Sequence, residues 1–202
     1  MKIILASQSP RRKKLLEQLR LQFKVIPSSV NENVKETDPV KLVENLAFQK
    51  ACDVSKTNPD SLTIGSDTVV VYKDRILGKP ENRDQASKML NELSGKQHFV
   101  YTGVALIETD HKSSIVNSLN FSEATKVYFS KLTQSEIDAY IESGSPFDKA
   151  GSYGIQDDWG AVFVKKIEGD FYNVVGLPIN RLYSELKTHF PNVIINSISI
   201  NS

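Results

Sequence analysis

The stretch Ile64-Gly65-Ser66-Asp67-Thr68 sets a carboxylate inside an otherwise apolar, β-rich run. A charge in such a setting is costly unless it has a task, and an acid at the end or bulge of a strand can hold a metal ion or take a proton from water. The competing reading is a turn-forming aspartate that caps nearby N–H groups. A second candidate lies near the start of the chain, where SQSPRR follows KIILA and precedes KKLLEQLRL. Ser9-Pro10 supplies an N-cap and a first-turn proline, so Arg11 and Arg12 fall where a helix normally favours negative charge. The two guanidiniums disfavour the empty helix start by about a few tenths of a kcal/mol each, whereas charge-assisted hydrogen bonds to a phosphate contribute roughly 1.5 to 3 kcal/mol. The bound state wins, and the pattern is that of an anion site. A capped surface helix with solvated basic residues is the plainer alternative.

Other charged groups could converge on the same chemistry. Lys50 falls between Leu46, Ala47 and Ala51, on the apolar face of a helical pattern, so it either snorkels or points into a cleft. Gly78-Lys79-Pro80 ends a hairpin with a lysine fixed between a flexible and a stiff residue, and is also an ordinary turn. Pro146 to Gln156 is dense in small residues yet carries Asp148, Lys149 and Gln156, as long functional loops do. Glu32, in the polar segment VNENVKE, reads by itself as a solvated loop residue.

The elements that must position these groups are legible in outline. KIILA and QFKVIPS have the pattern of strands around a first helix. Asp38-Pro39 repeats the cap-and-proline signal for a second helix running to about Lys56. SLTIGSDTVVVYKDRILG reads as two β-rich runs, broken at IGSDT, the second turning over at Lys73-Asp74. Asn82 caps a helix over RDQASKMLNEL that stops at Ser94-Gly95. HFVYTGVALIET and SSIVNSLNFSEATKVYFSKL form a wide antiparallel pair, and Thr133 with Glu136 makes a capping box for a helix ending at Gly144. GAVFVKKIEGDFYNVVG reads as a hairpin and LPINRLYSELKTHF as a last helix. Strand-helix-strand units mixed with hairpins predict an α/β (mixed α+β) fold with a long twisted central sheet. The tail NVIINSISINS suits an edge strand or a frayed end. Neither a repeat nor a clear domain boundary is visible.

The totals narrow the function. With 202 residues, about 40% apolar, the chain suits one large domain or two small lobes. Lysines and arginines number 25 against 24 acids, and the net charge of +1 gives no general basic field for nucleic acid or a membrane, so any anion site is local. No long apolar window suggests a signal peptide or membrane span, and a cytoplasmic location is expected. The single cysteine, Cys52, makes no internal disulfide and reads as buried helix filler; three scattered histidines lack metal-ligand spacing. Trp159 is expected in a core or packing role rather than stacked on a ligand.

Taken together, LASQSPRR, IGSDTVV, LGKP, LSGKQHFVYTGV, DKAGSYGIQ and GDFYNVVGLP resemble the Maf family of septum-formation inhibitor-like nucleotide pyrophosphatases, in that family's order and up to about Phe190. The resemblance implies a single domain of two lobes over 1–190, followed by a tail over 191–202, with a fold related to the inosine-triphosphate pyrophosphatases. It implies hydrolysis of a nucleoside triphosphate to the monophosphate and pyrophosphate with a divalent cation (Mg, Mn or Co). Arg11, Thr68 and Gln156 match the branch acting on dTTP and UTP; the sister branch acting on 7-methyl-GTP differs at such positions. Asp67 resembles the catalytic proton acceptor, while Ser9, Arg12, Glu32, Lys50, Lys79, Asp148 and Lys149 match other pocket positions. Homodimers are implied by the resemblance alone. Two departures stand out: Gln156 is followed by Asp157-Asp158-Trp159 rather than by Gly-rich residues, and Ala124 replaces a Thr.

A mechanism follows from these assignments. A triphosphate carries about four negative charges near neutral pH, so Arg12, Lys50, Lys79 and Lys149 are expected to gather around it. Glu32 and Asp67 are the expected metal ligands, with Asp67 also acting on the attacking water, and Lys79 joins them as a catalytic group. Arg11, Thr68 and Gln156 are expected to sort bases, an amide being able to pair with the edge of uracil or thymine. A non-catalytic nucleotide sensor of cell division is the alternative from a different class; an RNA-binding module is disfavoured by the charge balance and the lack of interleaved aromatic and basic stripes.

Overall fold

The computed structural model describes residues 1–32 and 35–193. Its elements follow in chain order as β1 (Lys2–Leu5), α1 (Pro10–Gln18), β2 (Phe23–Val25), α2 (Pro39–Ser55), β3 (Ser61–Tyr72), β4 (Arg75–Leu77), α3 (Arg83–Leu93), β5 (Gln97–Thr109), β6 (Ile115–Phe129) and α4 (Gln134–Glu142). Two 3-10 turns (Ser145–Asp148 and Ala150–Ser152) lead to α5 (Asp158–Phe163), β7 (Val164–Glu168), α6 (Phe171–Val175) and α7 (Ile179–His189). The strands form a seven-stranded mixed sheet in the order β2-β1-β3-β5-β6-β7, with β4 paired to β3. β1 is parallel to both β2 and β3, whereas β4 runs antiparallel to β3 and β7 antiparallel to β6. This is the expected α/β (mixed α+β) class. Among the described residues no helix is long and apolar enough to cross a membrane.

The chain divides into two compact units. The first comprises Met1–Asp67, Thr102–Ser122 and the described residues from Gly176 onward. In it, the apolar face of α2 lies close against strands: a Cβ on Gly65 would sit 2.1 Å from the Ala47 carbonyl oxygen, and one on Gly103 would sit 2.3 Å from that of Val43. Glycine at these two places lets the helix backbone approach, and Ala47, Ala51, Ala105 and Ile107 fill the seam. Cys52 packs at the edge of that cluster, half-buried rather than fully buried as expected.

The second unit comprises Thr68–Tyr101 and Glu123–Val175. Its core joins Leu90 and Leu93 of α3 to Val100, Val127, Phe129, Tyr140 and Phe163. The rings of Phe129 and Tyr153 meet edge to face at 4.6 Å. His98 is buried among them, its Nε2 2.7 Å from the Tyr153 hydroxyl.

Most expected caps form. Ser9, Asp38, Asn82 and Thr133 each accept from the first turn of the helix they precede, and Thr133 with Glu136 closes a capping box. Lys73 and Asp74 turn the β3–β4 hairpin with φ of 48° and 59°. Three further expectations are corrected. IGSDT does not break a strand: β3 runs unbroken through it, because small residues fit beneath α2. The hairpin expected over GAVFVKKIEGDFYNVVG is instead α5, the single strand β7 and α6. The FYNVV segment is helical because Asp170 Oδ1 accepts from Tyr172 N at 2.7 Å, and because buried Asn173 donates to the Val100 carbonyl at 3.0 Å and to Thr125 Oγ1 at 2.9 Å. These local and tertiary bonds outweigh the β preference of Phe, Tyr and Val. Trp159, assigned a core or packing role, is 49% exposed. Of the tail, 194–202 lies outside the described residues.

Candidate active site

The first unit brings together residues separated by most of the chain. Ser9 caps α1, its Oγ accepting from Arg12 N at 3.4 Å. Arg12, half-buried, donates through Nε to the Gly176 carbonyl at 2.8 Å and through Nη1 to Ser7 Oγ at 3.3 Å, and Ser66 Oγ donates to the same carbonyl at 3.2 Å. Burial pulls the Arg12 guanidinium below the ordinary arginine value; Asp67 opposes that pull, Arg11 adds to it and Glu32 opposes it. The guanidinium stays charged at any ordinary pH, so it is a fixed positive charge facing two carboxylates.

Asp67 lies on β3 and Lys50 on α2, both buried to within 7% exposure. Lys50 Nζ donates to Asp67 Oδ1 at 2.7 Å and pairs with Glu32 Oε1 at 2.7 Å. Lys50 does not snorkel; one ammonium draws a buried and a half-exposed carboxylate to one point. Arg11, beside Arg12, contributes to the same positive field. Thus Ser9, Arg12, Glu32, Lys50 and Asp67 form one cluster within this unit.

The second unit holds the other expected residues. Thr68 follows Asp67 on β3, and Lys79 stands exposed after β4. The Gly151 amide donates to the Gly78 carbonyl at 3.0 Å, which ties the Lys79 turn to the Gly-rich loop. Gly151 takes φ +67° there, and a Cβ on it would meet Val70 at 2.8 Å. Lys149 is buried, its Nζ donating to the Ser145 carbonyl at 2.6 Å, Ser145 Oγ at 3.2 Å and Asp148 Oδ1 at 2.8 Å, with Asp157 Oδ2 3.6 Å away. Its three N–H groups therefore have protein acceptors, so Lys149 organises the loop. Gln156 Nε2 donates to Asp157 Oδ2 at 2.5 Å. Ser7, Ser66 and Gly176 lie in SQSP, IGSD and VVGLP respectively, yet residue type alone does not mark them as site groups, and Asp157 stands out in the sequence only as a departure.

Glu32 and Asp67 suit a hard divalent cation, for which two carboxylates complemented by substrate phosphates and water form a normal shell. Their oxygens already converge on one cationic group, Lys50. No group of three His, Cys, Asp or Glu residues that could hold a metal occurs among the described residues, so any remaining ligands would come from substrate and water.

A family model described as "Maf-like protein" matches residues 2–189. The chain belongs to the Maf family. Among its relatives, proteins named "dTTP/UTP pyrophosphatase" from Bacillus cereus (strain ATCC 14579) and Bacillus anthracis are each 52% identical over 187 residues, covering 92% of this chain and 94% of theirs. One of the same name from another strain of Bacillus cereus is 53% identical over the same shares. A solved structure, that of the Staphylococcus aureus Ham1 protein, aligns with a TM-score of 0.45 and 14% identity over 64% of this chain and 72% of that one. Both clusters described above lie inside the Maf match, including the Asp157 departure.

Proposed function

We propose that this chain hydrolyses dTTP and UTP to the nucleoside monophosphate and pyrophosphate. The observation that carries the mechanism is the Glu32–Lys50–Asp67 cluster with Arg12 facing it, in a chain about half identical to proteins named for that reaction. Water attacks the α-phosphorus in line; a P–O bond forms, the bond to the α,β-bridging oxygen breaks, and pyrophosphate leaves with that oxygen. Lys50 engages Oδ1 of Asp67, and Oδ2 takes the proton of the attacking water. Arg12, with Arg11 and the α1 start capped by Ser9, stabilises negative charge on phosphate oxygens. Glu32 and Asp67 would hold a divalent cation, Mg, Mn or Co, which when bound supplies charge neutralisation at the phosphates. Lys79 assists the departing pyrophosphate, and Asp148 and Lys149 shape the loop that carries Gln156. Arg11, Thr68 and Gln156 select the base. Free nucleotides as substrates suit a cytoplasmic enzyme.

The test is pyrophosphate release from a panel of nucleoside triphosphates with several divalent ions. Wild-type protein should prefer dTTP and UTP, and Asp67→Asn should fold normally while losing at least about a hundredfold in kcat. Unchanged turnover by Asp67→Asn removes this residue from the mechanism. Failure of the wild type on every pyrimidine nucleotide removes the proposed activity.

A further inference from the structure

We propose that Asp157 is a positioning residue that holds the Gln156 amide with its oxygen presented to the base, so that the site accepts a hydrogen bond from a ring N–H and disfavours a ring nitrogen bearing a lone pair. The inference rests on the reading of Gln156 as a base-selecting residue and adds how its orientation is set.

A side-chain amide can turn end for end at little cost, presenting either a donor or an acceptor. Here the choice is made by the partner. Gln156 approaches Asp157 Oδ2 at 2.5 Å, and a carboxylate only accepts, so the amide nitrogen must face it. Gln156 Oε1 is then left as a buried acceptor with no hydrogen-bond partner among the described residues. Buried polar atoms are ordinarily satisfied, and one held in a fixed direction without a partner is suited to a ligand donor.

Asp157 is itself fixed. It occupies the N-cap position of α5, where aspartate usually bonds the first helical amides, yet its side chain makes no such bond. Its backbone N–H donates to the Gly154 carbonyl at 3.2 Å, and its Oδ2 lies 3.6 Å from the buried ammonium of Lys149. A Cβ on Gly154 would meet Lys149 Cε at 2.6 Å and Asp157 Oδ2 at 3.1 Å, so the absence of a side chain there makes the room in which lysine and carboxylate meet. The carboxylate thus spends itself on Gln156 and Lys149.

Uracil and thymine carry a hydrogen on ring nitrogen N3 and can donate to Gln156 Oε1. Cytosine carries a lone pair there, which would oppose the amide oxygen. Removing the Asp157 carboxylate lets the amide reverse and offer its NH2 to cytosine.

The experiment measures kcat/KM for UTP and CTP with the full chain as wild type, Asp157→Ala and Asp157→Asn, with thermal unfolding of each. In Asp157→Ala the UTP-to-CTP ratio should fall at least about tenfold, chiefly through a rise in KM for UTP and a fall in KM for CTP. Asp157→Asn, nearly isosteric and able to meet either end of the amide, should show a smaller fall in the same direction, and it carries the test if the alanine variant does not fold. An unchanged ratio in a folded, active variant overturns the role of Asp157 alone. A wild type that hydrolyses neither nucleotide overturns the base-selection reading and this inference with it.

Discussion

At the scale of single residues, the most consequential feature is a buried lysine held between two acids. Lys50→Met leaves Glu32 and Asp67 without the ammonium that both contact. Breaking a buried pair costs roughly 3 to 5 kcal/mol, and the half-exposed Glu32 places this case at the low end, about 3 kcal/mol. Adding Asp67→Asn to Lys50→Met removes one of the stranded charges, so the double variant should be more stable than the sum of the singles predicts, as read from urea midpoints in a double-mutant cycle. Simple additivity would show that the pair is not coupled. Asp67 was legible because a charge inside an apolar run stands out, and Lys50 because it interrupts an apolar helix face. Their pairing was not legible, since nothing in a one-dimensional pattern specifies which carboxylate an inward lysine meets. The Gly176 carbonyl was less legible still, being a backbone group that residue type does not reveal.

At the scale of elements, α2 positions Lys50, and its seat depends on two missing side chains. Gly65→Ala and Gly103→Ala each drive a methyl group into a backbone carbonyl of the helix. Backbone cannot turn aside as a flexible side chain does, so each should cost about 3 kcal/mol, the upper end for overpacking. Gly65→Ala should also lower the proposed pyrophosphatase turnover, because Gly65 is near Asp67 on β3 and contacts the turn of α2 that precedes Lys50; unchanged stability in either variant would show that the helix can move. The caps, the Lys73-Asp74 turn and the long β5 and β6 strands were legible because their signals are local. The segment around Asn173 reads as a strand in the sequence because what makes it helical is an acceptor set on Val100 and Thr125, distant in sequence. Likewise IGSDT reads as a break in β3 because small polar residues mark turns in a sequence, whereas here they mark the place where a helix lies close.

At the scale of the whole molecule, stability should depend on acidity through one buried imidazole. Burial lowers His98 from 6.5 to about 3. The unfolded chain binds a proton there as pH falls through 6.5, while the folded chain does not until about 3, so His98 withdraws stability across that window and withdraws none above it. His98→Gln, which keeps a polar partner for Tyr153 but does not titrate, should flatten the acid-side loss by about 1.4 kcal/mol per pH unit, as measured by urea midpoints from pH 7 to 4. Parallel curves for the two proteins would refute this. The Gly176 carbonyl has a different kind of consequence. Arg12 lies 164 positions before it and Ser66 lies 110 before it, yet both close onto that oxygen. Synthesis runs from the N-terminus, so the bonds that Arg12 and Ser66 make to this oxygen form only after the chain has been made through Gly176.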